Sequence, residues 1–171
     1  MVTRWLAAPC AAVMLMAGCD STGLDDEQFA ADLSGAAEVP PRTTTATGRT
    51  DFTVEEDGSV SFSLETNGIR NVVAAHIHGP APAGTNAGVV VTLFTSNPAT
   101  GLVNGTLREG SFTEPDRNAA GALVAPLDSV LAWMRTGRAY VNVHTNDGAD
   151  PPNTGAGDFP GGEIRGQIAN N

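Results

Sequence analysis

The feature that most limits what this chain can fold into is how often its pattern is interrupted. Glycine and proline supply 20 and 11 of its 171 residues, and the stretches between them are only a few residues long. Within those stretches apolar and polar residues alternate, the period of a strand with one face buried. Phe52 and Val54 are spaced by two within Thr47–Glu56, an acidic turn follows at 55–59, and Val60, Phe62 and Leu64 alternate through Val60–Thr66. Two such runs around a turn predict a hairpin. Asn67-Gly68 reads as a further turn, and Val72–His78 as a strand stopped by Gly79-Pro80. Gly88–Phe94 is apolar nearly throughout, predicting a strand buried on both faces. Leu102–Phe112, with Gly105 and Gly110, reads as a strand pair, and Arg138–Thr145 and Gly162–Ala169 as the last two strands. One segment departs from this rhythm. Leu127, Val130, Leu131 and Met134 share a helical face over Leu127–Arg135, with Gly137 placed for the C′ position. The expected fold is therefore all-β, an antiparallel Greek-key β-sandwich of seven to nine strands with one short helix, in a single domain over 29–169.

The nine basic residues are all Arg and stand against nineteen acidic ones, for a net charge of −10. No basic stripe exists to displace counterions from phosphates, which argues against a nucleic-acid partner. The N-terminus carries an address. Arg4 precedes an apolar run from Trp5 to Gly18 that is too short to span a bilayer and has the layout of an export signal. Met16-Ala17-Gly18-Cys19 resembles a bacterial lipobox, although Leu is usual where Met16 stands. The expectation is a signal peptide over 1–18, lipidation of Cys19 and a polar tether over 19–28, so that the domain is exported and held to a membrane of the bacterial cell envelope. Cys10 and Cys19 are the two cysteines. Removal of the first and acylation of the second leave no thiol for a disulfide, for catalysis or for a metal.

Three histidines concentrate the chemistry. His76 and His78 are one residue apart on a strand, so both side chains leave the same face, roughly 7 Å apart at the backbone. Tyr140, Asn142 and His144 share one face of the penultimate strand, with Val141 and Val143 opposite. Glu163, Arg165 and Gln167 share one face of the last, with Ile164 and Ile168 opposite. A polar strand face commonly just meets water. If the three strands are neighbours, however, these groups form a partly buried cluster in which Glu163 and Arg165 need partners. Such a cluster has two readings. Either His76, His78 and His144 ligate copper or zinc through neutral imidazole, or the same residues form a hydrogen-bonded network that fixes strand register without a metal. Other chemistry is poorly supported. No Gly-x-Ser-x-Gly setting or phosphate-cradling loop occurs. Asp147, Asp150 and Asp158 in the Gly/Pro-rich stretch 146–160 read as a solvated loop, and Trp133 as packing.

Three stretches jointly resemble the CHRD domain, the module named after chordin: Phe29 to Pro41 (FAADLSGAAEVPP) with Ala46-Thr47-Gly48; Ala74 to Ala81 (AAHIHGPA); and Gly137 to Thr145 (GRAYVNVHT) with Phe159 to Gln167 (FPGGEIRGQ). Ala37 stands where that family commonly has Gln, and the 146–158 stretch is longer than usual. The resemblance implies a β-sandwich of immunoglobulin-like or superoxide-dismutase-like kind and no established activity. A fainter similarity to copper/zinc superoxide dismutases rests on His76-x-His78, on Gly137-Arg138 ahead of His144, and on the glycine-rich approach to Arg165. It implies copper on the matching histidines. With no histidine between His78 and His144, the bridging ligand and zinc ligands of those enzymes have no counterpart. The expected function is a binding or interaction module for an envelope protein or small ligand, without a catalytic set. The alternative is a mononuclear copper or zinc protein.

Overall fold

A computed structural model describes Met1 and residues 27–171. The expected signal peptide, Cys19 and most of the expected tether therefore lie outside the described residues. Nine strands form one antiparallel sheet: β1 (Glu27–Ser34), β2 (Thr47–Val54), β3 (Val60–Ile69), β4 (Val72–His78), β5 (Val89–Thr95), β6 (Val103–Phe112), β7 (Tyr140–Thr145), β8 (Ile164–Gln167) and β9 (Ala169–Asn170). Their order is β5-β4-β7-β8-β1-β2-β3-β6, with β9 on β1. The sheet curls so that its end strands β5 and β6 approach each other, giving a nearly closed barrel or flattened sandwich. A two-residue connection carries β3 into β4, yet these strands do not pair. Each pairs within its own half of the sheet instead.

The inner face is apolar because alternation sends every second residue inward. Phe29, Ala31 and Leu33 of β1, Phe62 and Leu64 of β3, Ala75 and Ile77 of β4, and Val141 and Val143 of β7 meet in one core. Each fully buried Phe, Leu or Ile contributes about 1.5–3 kcal/mol. The inner face thus carries the stability and leaves the outer face free for polar groups. The predicted β2–β3 hairpin closes with Val54 opposite Val60. The helix α1 spans Leu127–Arg135 and buries Val130, Leu131 and Met134. It ends in a Schellman motif: the Gly137 amide bonds to the Met134 carbonyl and the Arg138 amide to that of Trp133. The left-handed φ of 63° at Gly137 permits this ending. Trp133 packs partly buried against the core, beside Gly79.

Several elements differ from expectation. β5 is not buried on both faces, since Val89, Thr92 and Thr95 are exposed. It lies at the sheet edge, and two register shifts against β4 turn the adjacent Val90 and Val91 inward together. Leu102–Phe112 is one strand, β6, rather than a pair. Asn67-Gly68 is not a turn between elements but a bulge inside β3, with Gly68 at φ 69°. β1 begins at Glu27, so the last two residues of the expected tether pair with β2.

Candidate metal centre

β4, β7 and β8 lie side by side, and their register assembles the outer face in rows. Across it, Ala74 stands opposite His144, His76 opposite Asn142, and His78 opposite Tyr140. Arg165 follows beyond Asn142, and Gln167 beyond Tyr140. His144 is thus the diagonal neighbour of His76. The three imidazoles converge: one ring nitrogen from each lies within 4.8 Å of the others. Ring centroids are 4.9 Å apart for His76–His144, 5.7 Å for His76–His78 and 5.8 Å for His78–His144.

Main-chain oxygens orient two of the rings. His78 Nδ1 lies 3.0 Å from the Ala87 carbonyl and His144 Nδ1 lies 2.9 Å from the Pro160 carbonyl. A carbonyl only accepts, so Nδ1 carries the proton in both rings and Nε2 keeps a lone pair. Those two Nε2 atoms, together with His76 Nδ1, are buried and without a hydrogen-bond partner. Burial lowers His76 and His78 to about 4, with the neighbouring His144 adding to the effect on both. Burial also lowers His144, against the Pro160 carbonyl contact that raises it. All three are therefore neutral at pH 7, the form that ligates a metal. Two nitrogens each about 2.1 Å from one ion can be no more than about 4.2 Å apart, so an ion held by all three rings would require separations as wide as 4.8 Å to contract.

The predicted polar cluster is present, with its members divided. Tyr140 stacks on His78 at 4.9 Å and 3°, and the Arg165 guanidinium lies 3.4 Å from the Tyr140 ring centre. The Tyr140 hydroxyl accepts from the Ala87 amide at 3.0 Å. Arg165 donates to Asn86 Oδ1 and to the Thr85 carbonyl. Residues 85–87 are thereby fastened over the site. Asn142 is buried and donates to Glu38 Oε2 at 3.3 Å. Glu163 points elsewhere. Its carboxylate accepts from Thr44, Thr145 and the Gly157 amide, joining three segments beside the cluster rather than pairing with Arg165. Asp158 corrects the solvated-loop expectation, because it is buried and accepts from Thr154.

Sequence reasoning missed Glu38, Gly162 and the carbonyls of Ala87 and Pro160. Glu38 is 4% exposed and reaches Asn142 from the loop after a 3-10 turn (Gly35–Ala37). Burial raises it to about 7 against the pull of Arg165 and Arg42. Its place in the FAADLSGAAEVPP stretch was the one available signal, whereas a carbonyl ligand leaves no mark in side-chain identity.

Searches of curated proteins and of solved structures each return no match. The family model of the CHRD domain matches residues 29–152, which include all three histidines and end before Glu163 and Arg165. With that match spanning most of its length, the chain belongs to the CHRD domain family.

Proposed function

We propose that this CHRD domain is an exported metal-binding module that holds one copper or zinc ion on His76, His78 and His144. One observation carries the reading: a ring nitrogen of each of three neutral histidines is buried and unpartnered, and the three rings converge on one point. A register-fixing network would pair those nitrogens with one another or with neighbouring donors. Leaving three of them buried and unsatisfied costs stability that a network has no reason to forgo. An ion satisfies all three at once. Copper(II) is expected to outcompete zinc, as the divalent affinity order has it. His76 and His144 are half-buried, so a bound ion keeps a side open to an exogenous ligand. The lipobox-like Met16-Ala17-Gly18-Cys19 supports the further reading that the domain is lipid-anchored in the cell envelope.

Elemental analysis of the purified full chain after dialysis against copper tests the site. The expected result is about one copper per chain, lost in both His76→Ala and His144→Ala. Protein that stays empty after copper and zinc dialysis would sink the metal reading and leave a metal-free binding module. For the anchor, Cys19→Ser is expected to move the protein from the membrane pellet to the soluble fraction. An unchanged pellet rules out acylation at that residue.

A further inference from the structure

Arg165, on β8, packs its guanidinium on the Tyr140 ring that stacks on His78, and borders a cavity of about 450 Å³. Small apolar side chains (Ala37, Val39, Pro41 and Ala83) form most of the remaining wall, with Glu38 beside Arg165. This volume falls within the range of small-molecule sites, and an apolar lining with few polar groups is their usual composition. Arg165 is only 1% exposed, and among the described residues no carboxylate stands within ion-pair distance of it. A buried cation with no ion-pair partner in contact, and only the partly neutralised Glu38 nearby, is costly. Its two hydrogen bonds, 2.9 Å to Asn86 Oδ1 and 2.8 Å to the Thr85 carbonyl, go to neutral acceptors. They use two of the five guanidinium N–H groups and leave donors for a ligand.

We propose that this cavity binds a small organic carboxylate, the anionic head on Arg165 and a short apolar tail against Ala37, Val39 and Ala83. The guanidinium fork matches a carboxylate in shape as well as charge. Glu38 tunes the site. Burial raises it to about 7, so that near neutral pH it exchanges a negative charge that repels the ligand for a neutral acid. The groups facing Glu38 are Arg165 from β8, Arg42 from the loop after the 3-10 turn and the neutral Asn142 from β7. Binding should therefore tighten as pH falls through 7.

The test uses the full, metal-free chain, with butyrate and its neutral isostere butyramide as probes, followed by amide NMR at about pH 6 and about pH 8. Butyrate is expected to shift the amides of Ala37, Ala83 and Gly84 saturably and to bind roughly five- to tenfold more tightly at the lower pH. Butyramide is expected to leave them in place. Ala83→Leu, on an exposed loop, should fill the cavity and abolish the shifts while copper uptake is unchanged, and Arg165→Gln should abolish them as well. Absence of saturation, equal response to butyramide, or persistence of the shifts in Ala83→Leu overturns the proposal. Because the readout needs no metal, its failure is distinct from failure of the histidine site.

Discussion

Gly162 shows how tightly single residues are specified at this site. A Cβ built there would lie 2.5 Å from Asn142 Nδ2 and 2.6 Å from Glu38 Oε1, and the φ of 122° is one that residues with side chains rarely adopt. Both neighbours are buried. Gly162→Ala is expected to destabilise the fold by about 2–4 kcal/mol, seen as a lower denaturant midpoint with an unchanged slope. A change below half a kcal/mol would mean that Asn142 and Glu38 are not held where the structure places them. Among the three histidines, His76 is the one whose ring has no main-chain anchor, whereas Ala87 and Pro160 hold the other two. On the proposed metal reading, His76 is therefore the ligand that the ion itself would position.

At the scale of elements, loop 79–88 is fastened to the sheet through Tyr140. The hydroxyl accepts from the Ala87 amide, and His78 donates to the same residue's carbonyl. Tyr140→Phe keeps the ring stack and removes the hydroxyl contact, so it should cost about 1 kcal/mol and speed hydrogen exchange at the Ala87 amide. Unaltered exchange there would show that the hydroxyl does not hold the loop. Much of this level was legible beforehand. The helix boundaries follow from a 3.6-residue apolar spacing and the glycine at 137, and β4 and the opposed faces of β4, β7 and β8 from alternation, because a strand sends successive side chains to opposite faces. The double burial expected of β5 failed because a run of valines looks the same in a central strand and in a bulged edge strand. Only the pairing partner decides between them. The three histidines were named from their spacing. Glu38 was not, because an acidic residue near two prolines reads as a solvated turn, and its burial comes from a loop folding back over distant strands.

For the molecule as a whole, burial of the histidines sets a pH dependence. In the unfolded chain they take up protons below about 6.5, whereas His76 and His78 in the fold resist until about 4. Their contribution to stability is thus complete above 6.5 and is lost as pH falls from 6.5 towards 4. His144 shifts in the same direction. Glu38 acts oppositely. Raised from 4.5 to about 7, it favours the fold fully below 4.5 and loses that contribution as pH rises through 7. Three groups outweigh one, with a discount for the half-exposed His76 and His144. The metal-free protein should lose on the order of 1–3 kcal/mol between about pH 7 and about pH 5, measured as the urea midpoint at each. A midpoint that rises on acidification would show that the rings are not desolvated as described.

The oxygens that steer His78 and His144 belong to the main chain of Ala87 and Pro160. What those two positions must conserve is a path of the polypeptide, not a kind of side chain. Replacements at those two positions that keep the local trace leave the imidazoles aimed as before, so the aim of both rings is set by where the chain runs.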